Sequence, residues 1–282
     1  ALDGGYFEAE GLKVTLISTG GDEKTWAAVM SGNAAFGVAD PTFVAVSGAR
    51  GNPGVVVATI IPKVPFWGIT FRTDLKPFSG ASDLGSLRVA TFPSPSTAYT
   101  LQRKMFQGAN LEPSIRQGAF GTLIPMLRAG EADVALELEP NVATATKEGA
   151  VVLYGLHELY GDFATTGLTT NPSTIADDPE LVGKVVCAIQ RAISAIHRDP
   201  EASLALLANR FPEVNPDVAR AAFTRSVEAG IFPLDCITAP IAWERAIDVR
   251  RAVGDLTSPA PFAQYVDNSF AEKAKATCST AK

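Results

Sequence analysis

The chain has 282 residues, of which 46% are hydrophobic and 19% charged, and its net charge is −6 at pH 7. This length favours two lobes over a single core, and an acidic balance without a basic run argues against nucleic acid as a partner. Apolar runs such as 55–61 are far too short to span a membrane and are typical of buried strands.

The first part of the chain is predicted to alternate strands and helices. Hydrophobic periodicity indicates strand 13–18, helix 24–31, strand 35–38, helix 41–50, and strands 55–61 and 66–72. A connector rich in Gly, Ser, Pro and Asp follows at 73–86. The second set comprises strand 87–91, helix 97–107, strand 114–117, helix 122–129, strand 134–138, helix 141–147, strand 151–154 and a strand near 165–170.

Beyond Thr170 only helices are predicted. Asp178-Pro179-Glu180 combines an N-cap, a first-turn proline and an early acid, so a helix should start there and extend to Asp199. Further helices are predicted to start near Pro200, Pro216, Pro240 and Pro261. Strand–helix alternation followed by a helical tail predicts an α/β fold of parallel sheets with a helical cover.

One sequence pattern occurs twice in the chain. SGNAAFGVADP ends at Asp40-Pro41 and AGEADVALELEP ends at Glu139-Pro140, each after an amphipathic helix pattern. Each copy has a glycine helix stop, a short apolar strand and an acid-proline pair suited to opening the next helix. The repetition predicts two similar α/β lobes. The second copy carries more acids than the first, so the lobes are expected to hold a shared ligand differently.

Cysteine is scarce and odd in number. Cys187 lies within a helical pattern and is interpreted as a small buried apolar residue. Cys236 and Cys278 are a candidate pair that would pin the C-terminal tail, although spacing alone does not fix connectivity.

Catalytic motifs are missing from the sequence. It contains no G-x-S-x-G, Walker A, G-x-G-x-x-G, C-x-x-C or H-E-x-x-H pattern. The two histidines, His157 and His197, are far apart in sequence and are interpreted as surface or locally bonded residues. The inventory favours binding over catalysis.

Four loops at the carboxyl ends of predicted strands are candidates for ligand contact: 19–22, 39–42, 92–97 and 137–141. Each leads into a helix, and the unpaired amides of a helix start attract anionic or carbonyl groups.

Several side chains in and near these loops have two readings. Either Ser94 or Ser96 should cap its helix, which leaves the other for a ligand, and Asp40 is expected to act first as a cap. Glu139 is a poor cap, so it is expected to accept from a ligand N–H group or from a side chain across the cleft. Trp67 either belongs to the core or forms the wall of a pocket.

Six segments carry a resemblance to a known family. They are GYFEAEGLKVTL at 5–16, the Gly20-Gly21 pair, MSGNAAFGVADP at 30–41, LRVATFPSPSTAYTLQRKM at 87–105, MLRAGEADVALELEP at 126–140 and ATTGLTTNP at 164–172. Through them the chain resembles the periplasmic solute-binding proteins of bacterial ABC importers. The branch is the one that binds aliphatic sulfonates, taurine, nitrate and the thiamine pyrimidine precursor.

The resemblance implies a two-lobed periplasmic-binding-protein fold, with two α/β sandwich lobes, two crossovers and a helical C-terminal part. Lobe 1 would comprise 1–86 and 168–282, and lobe 2 the inserted residues 87–167. The solute would lie in the interlobe cleft and be enclosed by hinge closure. The protein would be a periplasmic or extracytoplasmic monomer that delivers its solute to a membrane permease, with no cofactor, no metal and no enzymatic activity.

The candidate ligand-binding residues come from two sources. Those matched to family ligand loops are Gly21, Asp40, Thr42, Ser96, Thr97, Glu139 and, ahead of the second crossover, Tyr160. Those suggested by residue chemistry alone are Trp67, Ser94 and Tyr99.

The start of the chain departs from the family pattern. Family members begin with a strand and a ligand-contacting loop, whereas this chain begins inside the following helix. We therefore expect roughly 10–30 further residues upstream in the natural protein, enough for one strand and loop. A signal peptide and any membrane anchor would lie further upstream.

Two other function classes remain open on sequence grounds. One is an enzyme similar to the pyrimidine-precursor synthases of this fold, which use a histidine and a lysine-bound pyridoxal phosphate, although their cysteine-rich motif is absent here. The other is a sensory ligand-binding domain. No Arg or Lys falls inside the four loops, which favours an aromatic or heteroaromatic solute over a sulfonate-like anion.

Overall fold

The computed structural model describes residues 1–112 and 114–279. The strands are β1 (Phe36–Ala39), β2 (Val55–Lys63), β3 (Trp67–Thr70), β4 (Val89–Thr91), β5 (Ile115–Gln117), β6 (Val134–Glu137), β7 (Val151–Gly155) and β8 (Asp162–Thr170). The helices before β8 are α1 (Tyr6–Ala9), α2 (Asp22–Met30), α3 (Phe43–Gly48), α4 (Thr97–Gly108), α5 (Leu123–Arg128), α6 (Asn141–Lys147) and α7 (Leu156–Tyr160).

After β8 the chain is helical, as the sequence predicts. The helices are α8 (Pro172–Asp177), α9 (Pro179–Arg198), α10 (Pro200–Arg210), α11 (Pro216–Glu228), α12 (Pro240–Ala252), α13 (Phe262–Tyr265) and α14 (Ser269–Cys278). Their starts follow from local chemistry: Asp178 accepts from Leu181 N–H at 2.9 Å, and Asp199 accepts from Ala202 N–H at 3.0 Å. Proline occupies the first turn behind each cap.

The chain divides into two compact units. Unit 1 contains Ala1–Lys63, Asp162–Pro212 and Gly230–Lys282. Unit 2 contains Val64–Gly161 and Glu213–Ala229.

Unit 1 is built on a three-stranded sheet in the order β1-β8-β2. Both pairings are antiparallel, with Phe36 opposite Thr170 on one side and Val55 opposite Thr170 on the other. The parallel sheet predicted for this part of the chain is therefore wrong, because β8 comes from far along the chain and runs against both neighbours. Two apolar clusters fill the unit, one around α9 and α14 and one around Trp26 and Trp243.

A disulfide joins α9 to α14 in unit 1. It links Cys187 to Cys278, while Cys236 is a buried free thiol. The predicted pairing of Cys236 with Cys278 is wrong, as is the reading of Cys187 as a mere apolar residue. Cys187 and Cys278 are 91 positions apart in sequence. They meet because α9 packs against α14, which spacing alone does not reveal.

Unit 2 is built on a five-stranded sheet in the order β5-β4-β6-β3-β7. Strand β4 is parallel to β5 and β6, as predicted, whereas β3 is antiparallel to β6 and β7. The sequence division at Ser86 places β3 in the first lobe. Its hydrogen-bonded partners place it in this sheet, where Trp67 lies opposite Glu137 and Gly155.

Helix α11 belongs to unit 2, although the sequence analysis assigns every helix after Thr170 to lobe 1. It packs on α6 through an apolar cluster of Val218, Ala222 and Ala143. An ion pair from Lys147 to Asp217, with an N–O distance of 3.1 Å, adds to this contact.

The predicted strand 13–18 is not formed, and residues 12–19 have no regular structure. Leu16 and Ile17 are 61% and 66% exposed, so these two apolar side chains are not covered by a neighbouring strand among the described residues. Among residues 1–112 and 114–279, no helix is both long enough and apolar enough to cross a membrane.

Candidate functional site

The loops before α2 and α3 meet in unit 1. Gly20 adopts φ of 78°, a conformation that favours glycine, and Gly21 is the N-cap residue of α2. The first helical residue, Asp22, accepts a hydrogen bond from Asp40 N–H at 3.1 Å. Predicted site residues Gly21 and Asp40 are thus brought to one edge of the unit.

Asp40 is fully engaged within the protein. Its Oδ1 accepts from the N–H of Thr42 at 2.8 Å and from the hydroxyl of Thr42 at 2.6 Å, so it holds the N-cap residue of α3 rather than capping the helix itself as expected. Its Oδ2 pairs with Arg250 Nη2 at 2.7 Å, and both side chains are 3% exposed. Arg250 also pairs with Asp255 at 3.0 Å and lies over the ring of Phe43.

Asp22 is the titratable group of this edge. Burial, and then the nearby charge of Asp40, raise its pKa to about 6. Its carboxyl therefore changes charge near pH 6.

In unit 2, loops converge at the carboxyl ends of parallel strands β4, β5 and β6. The amide of Gly118 donates to Thr91 O at 3.0 Å, and that of Ser94 to Gln117 Oε1 at 2.9 Å. The side chain of Ser96 accepts from Tyr99 N–H at 3.3 Å and so is the helix cap. Ser94 is exposed and is the one of the two serines left for other contacts.

The remaining candidates on α4 differ in exposure. Thr97 is 7% exposed at the first helical position. Tyr99 is partly exposed, with the Arg103 guanidinium 5.8 Å from its ring centroid. A helix start with hydroxyl side chains favours carbonyl or anionic groups.

Glu139 is held by its own unit. Its Oε2 accepts from Ala143 N–H at 2.9 Å, and its Oε1 forms an ion pair with Arg225 of α11. The sequence predicts that Glu139 is a poor cap and accepts from a ligand or from a side chain across the cleft. In the structure it accepts from the first turn of α6 and pairs with an arginine of the same unit. Its side-chain partner lies on α11, 86 residues further along the chain.

Glu137, two residues earlier, is the more unusual carboxyl. It is 0% exposed at the end of β6, and its Oε1 accepts from Leu138 N–H at 2.9 Å. Its Oε2 has no hydrogen-bond partner among the described residues. Burial raises its pKa, and hydrogen bonds from Leu138 and Asn141 oppose that rise.

Trp67 is a core residue in this structure. It is 3% exposed, lies opposite Glu137 in the sheet, and has its ring 5.7 Å from that of His157. The His157 ring covers Gly155, where an added Cβ would lie 2.2 Å from it. His157 therefore packs against β3 and the end of β7 within unit 2.

Tyr160 points into unit 2. Its hydroxyl donates to the carbonyl of Leu101 on α4 at 3.1 Å, and burial raises its pKa. This hydrogen bond anchors α7 to α4.

The candidates thus fall into two sets, each within its own unit. Gly21, Asp40 and Thr42 belong to unit 1, and the other seven belong to unit 2. Within residues 1–112 and 114–279, no group of three or more His, Cys, Asp or Glu side chains is arranged to hold a metal ion.

Sequence reasoning missed the groups that complete these sets. Arg250 and Arg225 come from helices more than 80 residues away from Asp40 and Glu139, and nothing local marks them as partners. Glu137 was visible as an acid inside an otherwise apolar strand, which is a signal for a buried functional carboxyl.

The chain is similar to known proteins in sequence and in fold. A family model described as NMT1/THI5 like matches residues 1–203, which is more than half of the 282 residues. No curated protein sequence matches the chain.

Solved structures share its fold. The alkanesulfonate-binding protein SsuA from Xanthomonas axonopodis pv. citri, bound to MOPS, has a TM-score of 0.74 at 17% identity, covering 94% of this chain and 91% of that chain. The periplasmic aliphatic sulphonate binding protein SsuA from Escherichia coli has 0.68 at 17%, covering 85% and 80%. The ligand-binding component of an ABC-type import system from Staphylococcus aureus, with zinc bound, has 0.73 at 14%, covering 96% and 94%. The predicted periplasmic-binding-protein fold is confirmed.

Proposed function

Because the chain belongs to the NMT1/THI5-like family, we propose that it is the extracytoplasmic solute-binding protein of an ABC importer. The observation that carries this proposal is the convergence of polar loops at the carboxyl ends of β4, β5 and β6, in a fold shared with binding components of import systems. Loops at such an edge are where open α/β sheets bind small molecules.

The solute is a small organic molecule. Two of the similar structures are of sulfonate-binding proteins, which supports a sulfonate-like anion. The carboxyls Asp22 and Glu137 at the two loop edges support a solute that also carries hydrogen-bond donors, and an aromatic or heteroaromatic ring stays compatible with the nearby aromatics.

Several finer points stay predictions. They are the interlobe cleft and hinge closure, delivery to the membrane permease, the monomeric state, and the periplasmic location with or without a membrane anchor. The candidate ligand contacts of Gly21, Thr42, Ser94, Ser96, Thr97 and Tyr99 also stay predictions. Asp40, Trp67, Glu139 and Tyr160 support the loops in this structure, so we propose a positioning role for them.

Calorimetric titration and thermal unfolding with a panel of sulfonates, amines and heteroaromatic compounds test the proposed function. A free solute at 100 times its dissociation constant should add about 2.7 kcal/mol to the free energy of unfolding. Turnover of a substrate, or the absorbance of a pyridoxal aldimine in the purified protein, would instead favour the enzyme of the same fold. Absence of any binding solute would contradict the proposal.

A further inference from the structure

Glu137 presents a fixed acceptor with one oxygen to spare. The N–H of Leu138 donates to its Oε1 at 2.9 Å. Its Oε2 is buried and accepts from none of the described residues. The carboxyl is therefore held through Oε1, and Oε2 is left without a donor.

Such a group is costly to keep inside a protein. An unpaired buried acceptor loses its hydration without compensation, and the loss is larger when the group is charged. Arg225 of α11 does not supply the missing partner, since it is paired with Glu139. The spare oxygen thus has the features of a binding group rather than of a structural one.

The surroundings of Glu137 strengthen any hydrogen bond made there. Trp67 lies directly opposite on β3 and is 3% exposed, and His157 packs against its ring. Low polarity makes a hydrogen bond to a carboxylate stronger than it would be in water. The position also lies at the end of β6, at the sheet edge that holds the Ser96 helix start.

Resting on the proposed binding function, we propose that Glu137 is the specificity-determining acceptor of unit 2 and receives an N–H group of the solute. An amine or a ring-bound amino group satisfies Oε2, whereas a sulfonate head in the same position is repelled by the carboxylate. A solute with both groups is held with its N–H end at Glu137. Because Oε2 is covered in this structure, the side chains over it move when the solute binds.

The test uses pairs of compounds that differ only in the N–H group. Taurine with ethanesulfonate, and 4-aminopyrimidine with 4-methylpyrimidine, are titrated calorimetrically into the full chain. The member with the N–H group should bind about 10-fold tighter or more, the gain typical of a hydrogen bond to a charged group. Any molecule released by denaturing the purified protein is identified by mass and titrated in the same way.

Two matched variants then assign the preference to one residue. In Glu137→Gln the preference for the N–H member should fall by about 10-fold, because the amide accepts more weakly and presents a donor of its own. Glu131→Gln, an exposed glutamate of the same unit, should leave the preference unchanged. Circular dichroism and thermal unfolding verify that both variants are folded.

The outcomes separate this inference from the function on which it rests. Binding without preference for the N–H member, an unchanged preference in Glu137→Gln, or a released molecule without an N–H group overturns the role of Glu137 and leaves the solute-binding function intact. No binding in any pair, together with no released molecule, overturns the binding function itself.

Discussion

Arg250 is the residue on which the α3 loop of unit 1 depends. It pairs with Asp40 and Asp255 while 3% exposed, and its Nε donates to Thr42 Oγ1 at 3.1 Å. A buried ion pair adds little over an apolar pair, but removal of one partner leaves the other charge without compensation. The loop geometry thus depends on a residue that never needs to contact a solute.

We therefore expect Arg250→Met to lower the free energy of unfolding by about 3–5 kcal/mol, because Asp40 would be left buried and unpaired. Urea unfolding measures this change. Arg251→Met on the same helix removes an exposed cation and should change stability by less than about 0.5 kcal/mol. Equal effects of the two substitutions would contradict the structural role of Arg250.

A second residue-scale prediction concerns Asp22, whose pKa is raised to about 6 from 3.8. A raised carboxyl pKa means that the folded state binds the proton more tightly, so this contribution to stability is present below pH 3.8 and is lost as pH rises through about 6. Asp22→Asn should therefore be more stable than the wild type at pH 7, by about 2 kcal/mol, and equally stable at pH 4.

Urea unfolding of both proteins at several pH values between 4 and 8 gives the difference directly. Glu23→Gln, which removes the exposed neighbouring acid, serves as the matched control and should run parallel to the wild type. A constant difference between Asp22→Asn and the wild type across this range would show that Asp22 titrates normally.

Local chemistry could be predicted from the sequence at the residue scale, whereas distant pairing could not. The caps at Ser96, Asp178 and Asp199 depend on neighbours within four positions, so the sequence indicates them. The partners of Asp40 and Glu139 lie 210 and 86 residues away. Several arginines occur in the helical tail, and nothing local tells which of them pairs with which acid.

At the scale of elements, most helices and strands were predicted, whereas the pairing of the strands was predicted only in part. A helix satisfies its hydrogen bonds internally, so periodicity and caps indicate α4, α6 and α9 to within one or two residues. A strand needs a partner, and the apolar pattern at 13–18 cannot form one where no neighbouring strand lies beside it among the described residues.

The disulfide links two helices covalently, and its effect on stability can be predicted. It joins α9 to α14 across a separation of 91 residues, which restricts the unfolded chain. The double variant Cys187→Ala, Cys278→Ala should lose about 2–4 kcal/mol of unfolding free energy. Reduction of the wild type should give the same loss.

Cys236→Ala provides the matched control, because it retains the disulfide. Its stability should fall under reducing conditions by the same amount as that of the wild type. Burial raises the pKa of the Cys236 thiol to about 12, so a thiol reagent should react with one group, and only after unfolding. Three reactive thiols in the oxidised, unfolded wild type, or any reactive thiol in oxidised, unfolded Cys236→Ala, would contradict the Cys187–Cys278 link.

On the scale of the whole molecule, the chain order does not predict the composition of its units. Strand β8 is the central strand of the unit 1 sheet, although most of unit 2 precedes it in the chain. Helix α11 belongs to unit 2, although α8, α9 and α10, which precede it, belong to unit 1. The repeated sequence pattern predicts two α/β lobes, but it does not indicate which later helix packs on which lobe. Only the packing of Val218 and Ala222 on Ala143 decides it.

The contribution of α11 to unit 2 can be measured with two excised chains. One contains residues 64–161, and the other adds residues 213–229 through a flexible Gly/Ser linker. The longer chain covers the apolar face of α6 and pairs Glu139 with Arg225, so we expect it to be about 2–4 kcal/mol more stable in urea. Arg225→Met in the longer chain should remove about 1–3 kcal/mol of that gain, whereas Glu228→Gln, at an exposed position of the same helix, should remove less than about 0.5 kcal/mol. Equal stability of the two chains would mean that α11 is dispensable to unit 2, and that Glu139 needs another partner to remain in place.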